Sequence, residues 1–304
     1  MKNLSLLTLI LVLIMAAASS CRQQEPQDII PAITFSSGQT GSPEADTLAV
    51  KQEIFYGILT PVEICSIFRR TDARIAVDVL NPVDAAGDYL SASKAALNLG
   101  IYGVDMSYLK IFDMNNEMLE YMGAVKTLSD RLNIPSEYFT APLRKIENNM
   151  ADTDTVMSYL NEAYLNIEEH LGHNDRKSTA GLIVLGGWIE ALYISTQQLL
   201  DINDPDPGVV QRIAAQKYTL NTLLSFLKNY YDDPVVVYYT KKLKFLKKYF
   251  DRFDIYFKEG DLEIDRKKQV LKASGSDMTI SSETLRNIRD YAQKMREETI
   301  SVGG

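Results

Sequence analysis

Apolar positions in this chain recur mostly at intervals of three and four residues, the spacing that lines one face of an α-helix. From Ser91 to about Phe112 the residues Leu97, Leu99, Ile101, Val104, Tyr108, Leu109 and Phe112 keep that spacing. From Asn115 to Arg131 so do Met118, Leu119, Met122, Val125 and Leu128. The short break between these runs predicts two long antiparallel helices. Further helices are expected at about 136–149, 153–171, 176–200, 206–230, 234–258 and 281–299. Their separators are Asn133-Ile134-Pro135, Gly172, Asp204-Pro205-Asp206-Pro207-Gly208, Asp232-Asp233-Pro234 and Gly275, residues that cap or break helices. Thr60-Pro61 opens a shorter helix through Arg70, with Pro at the first helical position, and Asn81-Pro82 repeats the device. Alternating patterns are almost absent, and Ile54–Leu59 is the one short stretch that could be extended instead. The helices differ in length and no period near about 34 residues recurs, which excludes a solenoid of helical pairs. The expected fold class is all-α, an antiparallel up-and-down multi-helix array or bundle.

The first residues follow a different logic. Met1-Lys2-Asn3 precedes an unbroken apolar stretch through Ala17, and Ala18-Ser19-Ser20-Cys21 closes it. A basic start, an apolar run too short for a span and small residues before a cut are the marks of an export signal. The segment resembles the signal of bacterial lipoproteins, whose cysteine after the cut is lipid-modified. That resemblance implies a signal peptide over 1–20, lipidation at Cys21 and a membrane partner reached through the anchor. Ala18 stands where the pattern prefers Leu. Arg22 follows the cysteine in place of the Asp that resembles an inner-membrane retention signal, which points to the outer membrane, on its periplasmic or surface face. Residues 22–47 are rich in Gln, Ser, Gly and Pro and bury little, so 21–47 reads as a lipid-anchored flexible tether with about 30 Å of reach. Residues 48–304 then form a single α-helical domain.

Removing the signal leaves 31 basic against 40 acidic residues, a formal charge of −9. Nucleic-acid binding rests on clustered cations and counterion release, so this balance argues against it. With Cys21 assigned to lipid, Cys65 is the one thiol left and no intramolecular disulfide can form. Cys65 sits in Val62-Glu63-Ile64-Cys65-Ser66-Ile67-Phe68, the setting of a small buried hydrophobe.

Two carboxylates carry the candidate chemistry. Asp105 and Glu190 are each the only acid in a long apolar helix, Asp105 between Tyr102 and Tyr108, Glu190 beside Trp188. Burial raises a carboxyl pKa, so a pair in one core could divide acid and base roles. The alternative is that each accepts hydrogen bonds and fixes helix register, because a buried polar group must be paired. Asp105, Glu190, Trp188, Tyr102 and Tyr108 are accordingly a candidate ligand site or structural polar core, and no residue is assigned as catalytic.

His170 and His173 are the only histidines, and Gly172 between them, with no second thiol near, lacks the convergence a metal site requires. No metal or cofactor is expected. Segment 181–200 has the length of a membrane span, but Glu190, Gln197 and Gln198 suit the central helix of a large bundle. Gly181, Gly186 and Gly187 would let neighbours approach it closely. Residues 241–258 set Lys241, Lys242, Lys244, Lys247, Lys248, Arg252 and Lys258 against a stripe of Leu243, Leu246, Phe250, Phe253 and Phe257. Such a helix is either a solvated face over a core stripe or a surface for an anionic membrane or an acidic partner. Phosphate-cradling, dinucleotide and nucleophile-elbow glycine motifs are missing from the sequence.

The runs Leu97-Asn98-Leu99-Gly100-Ile101-Tyr102-Gly103-Val104-Asp105-Met106-Ser107-Tyr108, Tyr121-Met122-Gly123-Ala124-Val125-Lys126 and Gly186-Gly187-Trp188-Ile189-Glu190 resemble a group of uncharacterised helical lipoproteins from Bacteroidota-type envelopes. The resemblance implies location and helical class and lends no activity to any residue. The sequence thus points to a cell-envelope lipoprotein acting as a non-enzymatic binding or assembly component of unknown specificity, for which a protein of the envelope is a candidate partner. A solute-binding lipoprotein for glycans or peptides and a hydrolase built on Asp105 and Glu190 are the alternatives.

Overall fold

The computed structural model describes residues 32–36, 52–55, 77–174, 176–199, 201–257, 262–267, 270–273 and 276–302. The signal segment, Cys21, Cys65 and the helix expected between Thr60 and Arg70 lie outside them. Among the described residues eight α-helices dominate: α1 (Ala92–Ile111), α2 (Asn115–Arg131), α3 (Glu137–Glu147), α4 (Thr153–His173), α5 (Lys177–Gln197), α6 (Pro207–Leu227), α7 (Pro234–Phe250) and α8 (Ser282–Ile300). The all-α array is what the chain forms.

Local chemistry sets the helix ends. Ser91, Asp152, Asp206, Asp233 and Ser281 each accept a hydrogen bond from a backbone N–H in the first turn of α1, α4, α6, α7 and α8. Pro207 and Pro234 sit at the start of their helices, where no intrahelical donor is needed. At the far ends of α1 and α2, Asp113 (φ 56°) and Asn133 (φ 51°) turn into the left-handed region. Met114 N–H then reaches Leu109 O at 3.0 Å, and Ile134 N–H reaches Ser129 O at 3.0 Å. These are Schellman closures, which satisfy orphan carbonyls and reverse the chain within a few residues.

α1 makes its largest interface with α5, and the pair is wrapped by α2, α4, α6 and α8. α1 buries every residue from Ala95 to Lys110, and α5 every residue from Ala180 to Leu192. Glycine makes that interface possible. A Cβ at Gly100 would stand 2.0 Å from Ile183 O, and one at Gly186 would stand 1.9 Å from Leu97 O, so the two backbones touch. From Gly100 beside Gly187 to Asp105 beside Glu190 both helices advance in the same sense. α5 is long and apolar enough to cross a membrane, yet 89% of its most apolar window is buried inside the protein, as its glycines and Glu190 suggest.

Between α7 and α8 the chain forms four short strands, β3 (Ile255–Phe257), β4 (Glu263–Asp265), β5 (Val270–Ala273) and β6 (Ser276–Ser281). Earlier in sequence lie β1 (Ala32–Ser36) and β2 (Gln52–Phe55). They make two antiparallel three-stranded sheets, ordered β1-β6-β3 and β2-β5-β4. Ala32 lies opposite Ser281 and Ile255 opposite Met278.

Five expectations change. The helix expected to run to 258 ends at Phe250, because Phe253 turns back into the core and β3 takes up the chain at Ile255. The tether expected over 21–47 is interrupted by β1, whose backbone is paired to β6, so the domain starts before residue 48. Gly172 does not stop α4, which continues to His173, and Asn81-Pro82 leads into a short 3-10 turn, Val83–Asp88. The stretch from 206 to 230 is α-helical only to Leu227 and closes as a 3-10 turn over Lys228–Tyr230.

Candidate functional site

The two lone acids meet. Asp105 on α1 and Glu190 on α5 are both fully buried and lie within hydrogen-bonding reach of one another. Arg296 on α8, itself buried, joins them. Its Nε donates to Glu190 Oε2 at 3.1 Å and one terminal nitrogen to Glu190 Oε1 at 3.2 Å, a fork that engages both carboxylate oxygens. The same nitrogen donates to Val79 O at 3.0 Å, and the guanidinium lies 4.7 Å over the Tyr193 ring. Asp105 Oδ2 accepts from Asn81 N–H at 3.1 Å.

Charging three ionisable groups together in a buried core is costly, because the desolvation penalty is large there. Burial is the main force pushing the Asp105 carboxyl well above its usual range, and the Glu190 charge pushes the same way. Arg296 and the Asn81 amide oppose it without cancelling it. Glu190 is also raised by burial, but the Arg296 fork holds it back. Burial works against the Arg296 charge, and Glu190 outweighs it, so the guanidinium stays firmly protonated. Asp105 Oδ1 is buried and meets no donor. A proton on Asp105 would give its carboxyl a hydrogen to donate and leave the cluster with one negative and one positive charge.

Tyrosines enclose the cluster. Tyr102 donates to Pro82 O at 2.7 Å, and its ring lies 5.9 Å from Tyr121 and 6.4 Å from Tyr89. Burial raises all three hydroxyls, and Asp105 adds to the shift at Tyr102 and Tyr121. Tyr89 and Asn81 bond each other, and Asn81 Nδ2 also donates to Asn98 Oδ1 at 3.3 Å. Asn98 and Lys94 then close the end of α8: Asn98 Nδ2 donates to Thr299 O, and Lys94 Nζ to the carbonyls of Glu298, Thr299 and Ser301 at 2.8–3.2 Å. A cation at a helix C-terminus satisfies orphan carbonyls and meets the negative end of the dipole.

The other sequence candidates sit elsewhere in the core. Trp188 Nε1 donates to Thr219 Oγ1 at 3.1 Å, which donates to Gln216 Oε1 at 2.9 Å, a separate α5–α6 tie. Tyr108 is fully buried and packs edge-on against Phe112 at 4.8 Å. His170 and His173 occupy the last turn of α4, with His170 4.8 Å from the Tyr138 ring. No group of three His, Cys, Asp or Glu that could hold a metal occurs among the described residues.

Sequence reasoning missed Arg296, Asn81 and Lys110. Lys110 is fully buried at the end of α1 and donates to Met150 O at 2.6 Å, Asn115 Oδ1 at 3.0 Å and Asp113 Oδ1 at 3.3 Å. It pins the α1–α2 turn to the loop before α4.

Compared with protein-family models, with curated proteins and with solved structures, the chain gives no significant match to any of them.

Proposed function

We propose that this protein is a cell-envelope lipoprotein of the Bacteroidota type. In this reading it is exported by residues 1–20, anchored through Cys21 at the outer membrane, and acts as a non-enzymatic binding or assembly component. The observation that carries the non-enzymatic reading is the closure of the Asp105–Glu190–Arg296 cluster. Its carboxylates are fully buried, Glu190 is held by the Arg296 fork and Asp105 by the Asn81 amide, so a substrate would have to displace packed core side chains to reach them. The chemistry that suggested a hydrolase is spent on joining three helices. The aromatic candidates for a sugar platform, Trp188, Tyr102 and Tyr108, are likewise occupied in the core.

Location is tested by the mass of the amino-terminal peptide of the chain isolated from the envelope. An acylated Cys21 is expected, and a free thiol there overturns the anchor. Partnership is tested by capture of the full lipoprotein from detergent-solubilised envelopes. Recovery of no stoichiometric partner counts against the assembly reading.

A further inference from the structure

The exposed face of α7 gathers cations and aromatic rings. Tyr231, Tyr238, Phe245 and Arg252 stand seven residues apart, so they share one side of α7 and its flanks, and the three aromatics are each 40–46% exposed. Cations lie over the rings: Lys242 over Tyr238 at 4.9 Å, Lys244 over Tyr231 at 5.7 Å, Lys248 over Phe245 at 5.3 Å and Arg252 over Tyr249 at 5.0 Å. Lys242 is neutralised by Glu298 at 2.7 Å, Lys247 by Asp251, and Arg252 meets Glu283 at 3.4 Å. Lys241, Lys244 and Lys248 meet no carboxylate among the described residues. A protein of net charge −8 therefore carries one face where unpaired cations and exposed aromatic rings alternate.

The position of this face decides what it fits. β3 leaves the end of α7 and pairs with β6, and β1 pairs with the other edge of β6, placing Ala32 opposite Ser281. Ser281 caps α8, and Glu283, two residues on, holds Arg252 at the end of α7. The chain thus enters the domain beside the cationic end of α7. From Cys21 to Ala32 it spans at most about 40 Å fully extended. A domain of this size has a radius of gyration near about 18 Å, so a surface opposite Ala32 lies beyond easy reach of a lipid held at Cys21.

We infer that the α7 face, built on Lys241, Lys244, Phe245 and Lys248, is a docking surface for anionic phospholipid headgroups, which holds the anchored domain flat on its own membrane. Lysines reach phosphates while aromatic rings settle at the headgroup level. The inference rests on the anchor reading, and its test separates the two.

The acylated full chain is reconstituted through its own anchor into phosphatidylcholine vesicles, with or without phosphatidylglycerol. Lysine acylation is read by mass spectrometry, and the same digest reports the lipid on Cys21. Lys241, Lys244 and Lys248 are expected to be shielded only when phosphatidylglycerol is present, with Lys126 and Lys145 on α2 and α3 labelled equally in both. Equal labelling of the α7 lysines in both vesicles overturns the docking while leaving the anchor standing. Shielding that persists in detergent points to an acidic protein partner and also overturns it. If Cys21 carries no lipid, the unanchored chain is partitioned onto phosphatidylglycerol vesicles directly. Each of Lys241→Gln, Lys244→Gln and Lys248→Gln is then expected to lower the partition coefficient about fivefold, and failure of the wild-type chain to bind is fatal to the docking.

Discussion

The core between α1 and α5 and the outer face of α7 use the same residue types, charged groups among aromatics, to opposite ends. In the core the polar groups are answered within the protein: Arg296 forks onto Glu190, burial pushes Asp105 towards its neutral form, and Tyr102 donates a hydrogen bond to Pro82 O. On α7, Lys241, Lys244 and Lys248 stay in water and meet no carboxylate among the described residues, and the last two lie over the Tyr231 and Phe245 rings. Burial makes the difference. A charge in a dry interior must find its counter-charge or surrender its proton, whereas an exposed ammonium has water and remains available to a partner.

That contrast is broken most directly at Arg296. Arg296→Met leaves Glu190 buried without its counter-ion, and removing one partner of a buried pair costs about 3–5 kcal/mol. Urea unfolding measures it. A loss below about 1 kcal/mol would show that the cluster relaxes or hydrates and that the core is not sealed.

Glycine offers the next largest effect, with opposite signs in two helices. Gly186→Ala drives a Cβ into Leu97 O, where backbone must move, and overpacking of this kind costs about 1–3 kcal/mol. Gly123→Ala on α2 meets nothing within 4 Å and removes a flexible residue from a helix interior, so it stabilises by about 0.5–1 kcal/mol. If both changes were neutral in thermal unfolding, the backbone contact at the centre of the bundle would be in doubt.

The third effect is a dependence on pH. The folded state keeps the Asp105 proton, raised by burial and by Glu190, at pH values where the unfolded chain has released it. The unfolded state therefore binds fewer protons, and stability falls as pH rises from just above the ordinary Asp value of about 4 towards the raised folded value. Asp105→Asn retains an acceptor for the Asn81 amide and gains a donor for Glu190, so it removes that slope. Its advantage over the wild type grows by about 1.4 kcal/mol per pH unit while a whole proton is at stake. Parallel unfolding curves for the two proteins from pH 5 to pH 8 would mean that Asp105 is ionised in the fold.

How much of this was legible in the sequence follows from the same contrast. Asp105 and Glu190 stood out because a single acid in an apolar helix is conspicuous. Arg296 did not, because α8 is charged along most of its length and Arg296 looks like its neighbours. The signal was its phase: Leu285, Ile288, Ala292, Met295 and Thr299 are the buried positions, and Arg296 lies beside Met295 and four residues beyond Ala292. Helix starts were readable from Asp-Pro and Ser caps, since the first turn carries its own chemistry. The strands were not, because pieces of three to six residues give periodicity little room. Even so, β6 alternates, with Ser276, Met278 and Ile280 inward and Asp277 and Thr279 outward. The end of α7 at Phe250 carries no Gly or Pro; the burial of Phe253 and the pairing of β3 with β6 set it, and both are tertiary.

The smallest expected effect separates a face kept for folding from one kept for something else. Lys244→Gln and Lys248→Gln each remove an exposed cation from an aromatic ring, an interaction worth about 0.5–1 kcal/mol at such sites. Lys241→Gln removes a cation for which neither a ring nor a carboxylate lies in contact, and surface changes of that kind stay within about 0.5 kcal/mol. If all three together lower the unfolding free energy by as much as Arg296→Met alone, α7 is part of the packed structure and its charges need no partner. If they leave the fold nearly untouched, the cluster of cations is unexplained by stability. The lysines then answer to something outside the chain, as Glu190 answers to Arg296 within it.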